Sequence, residues 1–258
     1  MFGSQKPIIG VIHLPPLPGY DNSPGINAIV DNALTDLRAL ESGPVDGVLV
    51  ENENDQPHRV AAASETTATM TRVTRELVNA ARSCCVGVEI LLNDPEASLA
   101  VALAAGARFI RTDYFVDPME RPEHGGAMHI DPEGLMAYRR KIRADEILVL
   151  ADIQVKYARM LEERTLSGSA ELARHYGADA IVVTGTVTGE PPRVEEIEEA
   201  KSGASDVPVL IGSGVDPANA RALLDESDGA IVGTSLKTGN HIDSAKVRKL
   251  LDERRLCR

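Results

Sequence analysis

Six ionisable side chains stand where short apolar segments of the chain end, and their types could together perform acid–base chemistry. In chain order they are His13, Glu51, Arg111, Asp113, Asp152 and Lys156. Each closes or follows an apolar run. Charged residues on the solvent-facing side of a surface helix would not occur in this position. One such residue is often part of a structural ion pair, whereas the whole set favours a catalytic or binding site.

The chemistry of these groups suggests a role for each. His13 is a candidate general acid or base, because the ordinary pKa of histidine lies near neutrality. Asp152 or Glu51 could be the opposing base if burial and neighbouring carboxylates raised its pKa. Lys156 could stabilise an oxyanion or form a Schiff base, and its place beyond the end of the apolar run favours the oxyanion.

Other polar residues at these segment ends would orient a substrate. Asn52, Asn93 and Thr184 follow the second, third and sixth apolar runs and are candidates for substrate binding. Arg111 and Asp113 stand two residues apart, so on a strand they point to the same side. If that side faces inward, we expect them to form an ion pair that orients the carboxylate.

Two glycine-rich turns follow the last two apolar runs and are candidates for phosphate binding. They consist of Gly212, Ser213 and Gly214, and of Gly233, Thr234 and Ser235. Glycine lets backbone N–H groups approach an anion closely, and a following helix start adds partial positive charge. Glycines also serve tight turns alone, but two such turns on consecutive final strands match the phosphate site of barrel enzymes. Lys237 either approaches the same anion or is solvated.

No cofactor is predicted, and a divalent metal ion stays open as a weaker alternative. Glu51, Asp113 and Asp152 could hold a hard cation through oxygen, whereas no spaced histidine cluster indicates zinc. A flavin or nicotinamide enzyme is less favoured, because no Gly-x-Gly-x-x-Gly follows an early strand. A flavin phosphate could still occupy the glycine turns, in which case the purified protein would be yellow.

Eight short apolar segments alternate with eight amphipathic segments, and this alternation must position the groups above. The predicted strands are Pro7–His13, Gly47–Glu51, Val86–Leu92, Phe109–Asp113, Ile147–Asp152, Ala180–Thr184, Val207–Gly212 and Gly229–Gly233. The predicted helices are Ala28–Glu41, Arg59–Arg82, Pro95–Ala105, Pro132–Arg143, Ser167–Tyr176, Val194–Lys201, Pro217–Leu224 and Asp243–Arg254. Nearly continuous apolar strands are typical of a parallel sheet buried on both faces. The pattern predicts an α/β protein, a single (β/α)8 TIM barrel domain over residues 1–258 with its site at the carboxyl face.

Local signals mark several boundaries. Asp-Pro pairs at 94–95, 131–132 and 216–217 predict a capping carboxylate before a proline at the first helical position. Gly43, Gly106 and Gly177 predict left-handed helix ends. The longest irregular stretch, Tyr114 to Ile130, is equally consistent with a lid over the site and with a surface excursion.

The composition limits the partners of the chain. The formal net charge of −12 repels nucleic acid and anionic lipid, so an anionic ligand needs a local positive site. No apolar stretch approaches the ~20 residues that span a bilayer, and the N-terminus does not resemble a signal peptide. Cys84, Cys85 and Cys257 are interpreted as reduced thiols of a cytoplasmic protein. A homo-oligomer remains open.

Read together, these segments resemble the BtpA/SgcQ family over nearly the whole chain. The matching motifs are residues 10–19, 50–52, 92–94, 109–113, 151–156, 183–185, 212–215 and 228–237. The first and last are the most specific, and two positions depart from the family pattern, His58 and Tyr157. The resemblance implies a barrel of the ribulose-phosphate-binding type. The family is named for a factor required for stable photosystem I, and other members occur in sugar-uptake operons, so the resemblance implies no single reaction.

Two functions fit these residues. One is an enzyme, an isomerase, epimerase or aldolase/lyase, that acts on a phosphorylated sugar or a nucleotide-derived small molecule. In it, a carboxylate and His13 move protons about an enediol-like intermediate while Lys156 or Arg111 stabilises the oxyanion. The alternative is a non-catalytic assembly or stability factor for a membrane complex, as in photosystem I biogenesis. Acidic, basic and anion-binding groups around one barrel opening favour the enzyme.

Overall fold

A computed structural model describes residues 6–257 and contains a closed barrel of eight parallel strands. The strands are β1 (Ile8–His13), β2 (Gly47–Glu51), β3 (Cys85–Glu89), β4 (Phe109–Thr112), β5 (Leu148–Asp152), β6 (Ala180–Val183), β7 (Val209–Ile211) and β8 (Ala230–Val232). Each strand pairs with its neighbours in chain order, and β8 closes the barrel against β1. The predicted TIM barrel is confirmed. Residues 1–5 and 258 of the expected domain lie outside the described residues.

A helix follows each barrel strand. The helices are α1 (Ile26–Leu40), α2 (Ser64–Ala80), α3 (Pro95–Ala105), α4 (Pro132–Lys141), α5 (Leu166–His175), α6 (Val194–Ala204), α7 (Ala220–Glu226) and α8 (Ser244–Arg254). Within residues 6–257, none of the helices has the length and apolar character needed to cross a membrane.

The interior of the barrel is packed with side chains from alternating strand positions. This inner cluster consists of Ile9, Val11, Leu49, Phe109, Leu150, Ala180, Val182, Leu210 and Ile231. Phe109 fits because Gly87 on the adjacent strand has no side chain, and a Cβ there would overlap the phenyl ring. Val11 and Ile231 also line the cavity described below. The core therefore supports the site from beneath.

Several helix boundaries follow the predicted capping residues. The carboxylates of Asp94 and Asp131 accept N–H groups three residues on, at 2.9 Å and 2.8 Å, and a proline follows each. Gly106 and Gly177 have the expected positive φ. The expectation for Gly43 was wrong, because α1 ends at Leu40, its capping residue Glu41 has right-handed geometry, and Gly43 has no positive φ. Gly43 instead packs against α8, where a Cβ would lie 2.5 Å from a methyl group of Leu251.

Two predicted helix starts were placed too early. Helix α2 begins at Ser64 rather than Arg59, because the carbonyls of Arg59 and Val60 accept N–H groups of the loop after β3. Helix α7 begins at Ala220 rather than Pro217, because the Asp216 carboxylate accepts the N–H groups of residues 218 and 219 in a local turn. In both cases non-helical hydrogen bonds of the residues before the helix outweigh the helical pattern.

The irregular stretch from 114 to 130 forms a small antiparallel sheet beside the barrel. Its strands are Met119–Arg121 and Gly126–Ala127, and Arg159–Met160 from the loop after β5 completes the sheet. A short 3-10 turn between the first two carries His124. This segment brings Arg121 and His124 to the cavity at the barrel opening, so it contributes to the wall of the site.

Candidate active site at the carboxyl end of the barrel

A cavity of about 440 Å³ opens where the barrel strands end. We call it the site cavity. Eleven of the residues singled out in the sequence line it, and they are His13, Glu51, Arg111, Asp113, Lys156, Gly212, Ser213, Gly214, Gly233, Thr234 and Ser235. Both glycine turns and most of the ionisable groups therefore share one chamber.

A chain of polar contacts crosses the barrel at this cavity, and its three middle members line the cavity wall. The ammonium Nζ of Lys237 lies 2.6 Å from Nδ1 of His13, and Nε2 of His13 lies 3.5 Å from Oε2 of Glu51. Oε1 of Glu51 lies 3.4 Å from Nη1 of Arg111. The guanidinium of Arg111 donates two 2.8 Å hydrogen bonds to the carboxylate of Asp152. The chain thus links loops and strands on both sides of the opening.

The contacts of His13 define its protonation. An ammonium group has only hydrogen-bond donors, so Nδ1 of His13 must accept from Lys237 and the neutral ring carries its proton on Nε2. Burial lowers the pKa of His13 to about 4, with Lys237 adding to the effect and Glu51 opposing it. At neutral pH His13 is therefore a neutral imidazole whose N–H points to Glu51.

The pKa of Glu51 is lowered although the side chain is buried. Burial alone would raise the pKa of this carboxyl, but the contact with the His13 ring, the charge of Arg111 and a hydrogen bond with Glu89 together outweigh that effect. Glu51 is therefore the ionised member of the buried chain. It holds the histidine ring in one orientation, as carboxylates commonly do beside functional histidines.

Two carboxyl groups on the cavity wall have pKa values closer to neutrality. Burial raises the pKa of Asp113 to about 6, and Asp152 adds to the shift. Burial raises the pKa of Glu53 to about 7, with repulsion from Glu51 adding to it and Lys156 opposing it. A general acid or base works best with a pKa near the working pH. Glu53 and Asp113 meet this condition better than His13.

Sequence reasoning missed Glu53 and also Glu89, both of which line the cavity. Glu53 stands two residues after Glu51 in the same polar run, and that spacing was the available signal. Glu89 was hidden inside the predicted strand Val86–Leu92, which actually ends at Glu89. The side chain of Glu89 is only 2% exposed. A carboxyl group buried to this extent needs polar partners, and those of Glu89 lie on other strands, so the local sequence did not reveal them.

The ion pair expected between Arg111 and Asp113 is replaced by another. Arg111 pairs with Asp152 because β4 and β5 run side by side, with Arg111 opposite Leu150, two residues before Asp152. Asp113 lies beyond the end of β4 and faces the cavity instead. Asp152 is buried beneath the guanidinium and does not line the cavity, so its contacts suit a residue that orients Arg111.

The three uncharged residues proposed for substrate binding also lie outside the cavity wall. The Asn52 amide bonds the backbone of Leu91 and the carboxylate of Asp55, which occupies both its oxygen and its nitrogen. Asn93 donates to the carbonyl of His129 at 2.7 Å. Thr184 packs its methyl group near Gly212. Asn52 and Asn93 hold loops around the opening in place.

The glycines of the β7 turn are explained by close packing. A Cβ at Gly212 would lie 2.5 Å from Val182 and 2.9 Å from Thr184. Gly214 has a φ of +71°, and a Cβ there would overlap the backbone of Glu190 and Pro191. Both glycines let the turn lie tightly against the loop after β6.

The two serine hydroxyl groups of the turns have protein partners. Ser213 accepts from the N–H of Gly185 at 2.8 Å and donates to the carbonyl of Glu190 at 2.7 Å. Ser235 donates to the carbonyl of Val215 at 2.6 Å, which joins the two turns. The β8 turn continues into a short 3-10 helix that begins at Thr234. The N–H of Gly212 donates to the carbonyl of Val183 at 2.8 Å, so the groups left to meet an anion are other backbone N–H groups of the turns and the Thr234 hydroxyl.

Tyr157 joins three loops at the outer edge of the cavity. Its hydroxyl accepts the N–H of Thr188 at 2.7 Å, and the guanidinium of Arg121 lies 5.8 Å from the centre of its ring. It stands directly after Lys156, with a positive φ of 63°. These contacts fix the loop that carries Lys156 relative to the loops after β4 and β6.

A metal site receives no support from the described residues. No three histidine, cysteine, aspartate or glutamate side chains among residues 6–257 are grouped so that they could hold an ion. Arg111 contacts both Glu51 and Asp152, two of the three candidate ligands, and so occupies the position between them. This donor set fits a buried guanidinium better than a hard cation.

The sequence is similar to that of a named protein family. The model of the BtpA family matches residues 4–255. The chain is 36% identical over 246 residues to the photosystem I biogenesis protein BtpA of Synechocystis, covering 93% of this chain and 84% of that protein. It is 37% identical to an uncharacterized protein of Archaeoglobus fulgidus, covering 91% and 93% of the two chains.

Solved structures with low sequence identity share the barrel. A 3-hexulose-6-phosphate synthase matches with a TM-score of 0.60 at 14% identity, covering 96% of this chain and 99% of that chain. A thiamine phosphate pyrophosphorylase of Pyrococcus furiosus matches with a TM-score of 0.59 at 18% identity, covering 96% and 95%. These similarities support the barrel fold that the family resemblance implies.

Proposed function

The chain belongs to the BtpA family, and on that premise we propose that it is an enzyme that acts on a phosphorylated small molecule by acid–base chemistry. The observation that carries this proposal is that two glycine turns and several carboxyls of raised pKa line one cavity. An anion at the turns would hold the substrate while its reacting end meets the carboxyls.

The phosphate group would lie at the β7 and β8 turns. Their backbone N–H groups and the Thr234 hydroxyl supply donors without charge, which suits a protein of net charge −12. Lys156 adds a positive charge on the wall of the same cavity. The names of two structural neighbours, a hexulose-phosphate synthase and a thiamine phosphate pyrophosphorylase, support a phosphorylated ligand for this type of barrel.

Proton transfer would be performed by Glu53 and Asp113, with Lys156 beside the developing oxyanion. Glu53 has a pKa of about 7 and can both take up and release a proton near neutrality. Neutral His13 would act as a hydrogen-bond donor or relay held between Lys237 and Glu51. This set fits an isomerase, epimerase or lyase, in which a proton moves next to a carbonyl group.

The test is a screen of phosphorylated sugars and nucleotide-derived phosphates for turnover. We expect Thr234→Asp to abolish turnover and inhibition by inorganic phosphate, because a carboxylate at the β8 turn repels the anion. Ser42→Asp is the matched control, since Ser42 is exposed at the amino end of β2 beside Arg248. If no phosphorylated compound is converted and phosphate neither binds nor inhibits, the proposal is wrong.

A non-catalytic assembly factor is a second candidate, supported by the name of the Synechocystis relative. In that role the barrel would bind a partner of a membrane complex, and the acid–base groups would not be needed. A host strain lacking the gene separates the two functions. Complementation by a Glu53→Gln, Lys156→Met double variant would favour assembly, and failure despite normal protein levels would favour catalysis.

A further inference from the structure

Glu89 is a buried carboxyl on the cavity wall that the acid–base scheme above does not use. It is the last residue of β3 and is 2% exposed. Its register partner on β2 is Glu51, so two carboxyl groups stand side by side on adjacent inward-facing positions. Two like charges at this spacing in a buried place repel each other strongly.

The hydrogen bonds around Glu89 leave one of its oxygens without a partner. Arg111 gives its two shortest bonds to Asp152 and a longer one to Glu51, while its Nε is 3.8 Å from Oε2 of Glu89. Oε2 of Glu89 makes no hydrogen bond with any of residues 6–257. An ionised carboxylate accepts several hydrogen bonds, and burying one without donors is costly.

The charges that face Glu89 also favour a protonated, neutral side chain. Glu51, Asp113 and Asp152 are acidic, and Arg111 is the guanidinium that lies among them. Burial raises the pKa of Glu89 well above its ordinary value, and Asp113 adds to the shift against the opposing charge of Arg111. One proton held on this side chain relieves the excess of negative charge.

We propose that Glu89 is a neutral carboxylic acid that donates a hydrogen bond to an oxygen atom of the substrate, and is therefore a catalytic residue of the proposed reaction. This rests on the proposed function. In the unliganded protein the proton can be shared with ionised Glu51, whose pKa is lowered in part by a hydrogen bond with Glu89. A substrate oxygen beside Oε2 offers the alternative acceptor. A carboxylic acid kept neutral by burial is a known form of oxyanion donor.

The position of this donor narrows the class of substrate. In the closed barrel β3 lies across the opening from β7 and β8, which carry the glycine turns. A ligand with its phosphate at the turns would therefore present its other end to Glu89. A neutral O–H donor there selects a carbonyl or enolate oxygen and discriminates against an ammonium group. The substrate is thus a phosphorylated carbonyl compound such as an aldose or ketose phosphate.

The protonation of Glu89 can be measured without any substrate. A neutral carboxylic acid has an infrared carbonyl band that a carboxylate lacks. We expect the difference spectrum of wild type minus Glu89→Gln to contain this band at pH 7 and above. The control difference with Glu76→Gln, on the exposed face of α2, should lack it. Absence of the band at pH 7 would overturn the proposal, whatever the enzyme turns over.

Kinetics then test whether the proton is donated to substrate. Glutamine keeps a neutral N–H donor at residue 89, whereas leucine removes it, so Glu89→Leu should have a kcat about 10²-fold below that of Glu89→Gln. Equal kcat values in two variants with wild-type far-ultraviolet circular dichroism would overturn the proposal. If nothing in the phosphorylated panel is converted but the infrared band is present, the proposed function fails while the neutral state of Glu89 stands.

Discussion

The side chains of Lys237 and His13 meet through a 2.6 Å contact between Nζ and Nδ1 that joins the loop after β8 to the end of β1. The positive charge of Lys237 helps keep His13 neutral, with a pKa of about 4. We expect Lys237→Met to raise the pKa of His13, although burial keeps it below the 6.5 of a free histidine. Titration of the imidazole signals by NMR measures the shift, with Lys249→Met as control because Lys249 is exposed on α8. An unchanged value in Lys237→Met would contradict this reading.

The neutral state of His13 also makes stability depend on pH. Its folded pKa of about 4 lies below the ordinary value of 6.5, so between these values the unfolded chain binds a proton that the folded chain does not. The free energy of unfolding should therefore fall as pH decreases from 6.5, until the effect is complete below about pH 4. Urea titrations should show a smaller fall for His13→Asn. Parallel pH curves for the two proteins would argue against a neutral His13.

The buried pair of Arg111 and Asp152 should be sensitive to removal of one partner. Arg111→Met leaves the carboxylate of Asp152 buried without donors, and we expect a loss of about 3–5 kcal/mol in the free energy of unfolding. The double variant Arg111→Met, Asp152→Leu removes the charge of Asp152 and should recover part of that loss, while the carboxylate of Glu51 still lacks the guanidinium. Urea unfolding measures both. A double variant no more stable than the single one would show that the pair is not the cause.

The raised pKa of Glu53 predicts the pH dependence of the proposed enzyme. If Glu53 acts as the base, kcat/KM should rise with pH around an apparent pKa of about 7. Glu53→Gln should lower kcat and remove that limb of the profile, because glutamine does not titrate. The Glu76→Gln variant should keep the wild-type profile, since Glu76 pairs with Arg72 on the exposed face of α2. A profile of Glu53→Gln with the same limb would assign the titration to another group.

The β7 turn should not tolerate a side chain at Gly214. Gly214 and Gly125 both have positive φ, so alanine is strained at either residue, but a Cβ meets the backbone of Pro191 only at Gly214 and open space at Gly125. We expect Gly214→Ala to lose more stability than Gly125→Ala, by more than about 1 kcal/mol. It should also weaken phosphate binding by displacing the turn. Equal melting temperatures for the two variants would contradict the close packing.

Alternation of apolar strands and amphipathic helices was enough to predict the barrel. Parallel strands all end at the same face, so a residue such as His13 or Lys156, at or after a strand end, could be assigned to the opening from the sequence. The glycine turns after β7 and β8 could be found in the same way. Local patterns suffice here because strand direction and side-chain alternation are properties of each segment.

Partners and protonation states were decided by the tertiary structure. The pairing of Arg111 with Asp152 rather than Asp113 depends on the register of β4 against β5, which no local pattern contains. The pKa values of Glu53 and Glu89 depend on burial and on charges carried by other strands. Asn52 accepts a hydrogen bond from the N–H of Leu91, a contact that depends on how the loops after β2 and β3 meet. The sequence of a segment determines which side chains it carries. Barrel closure determines which neighbours surround each side chain, and those neighbours set its hydrogen bonds and its pKa.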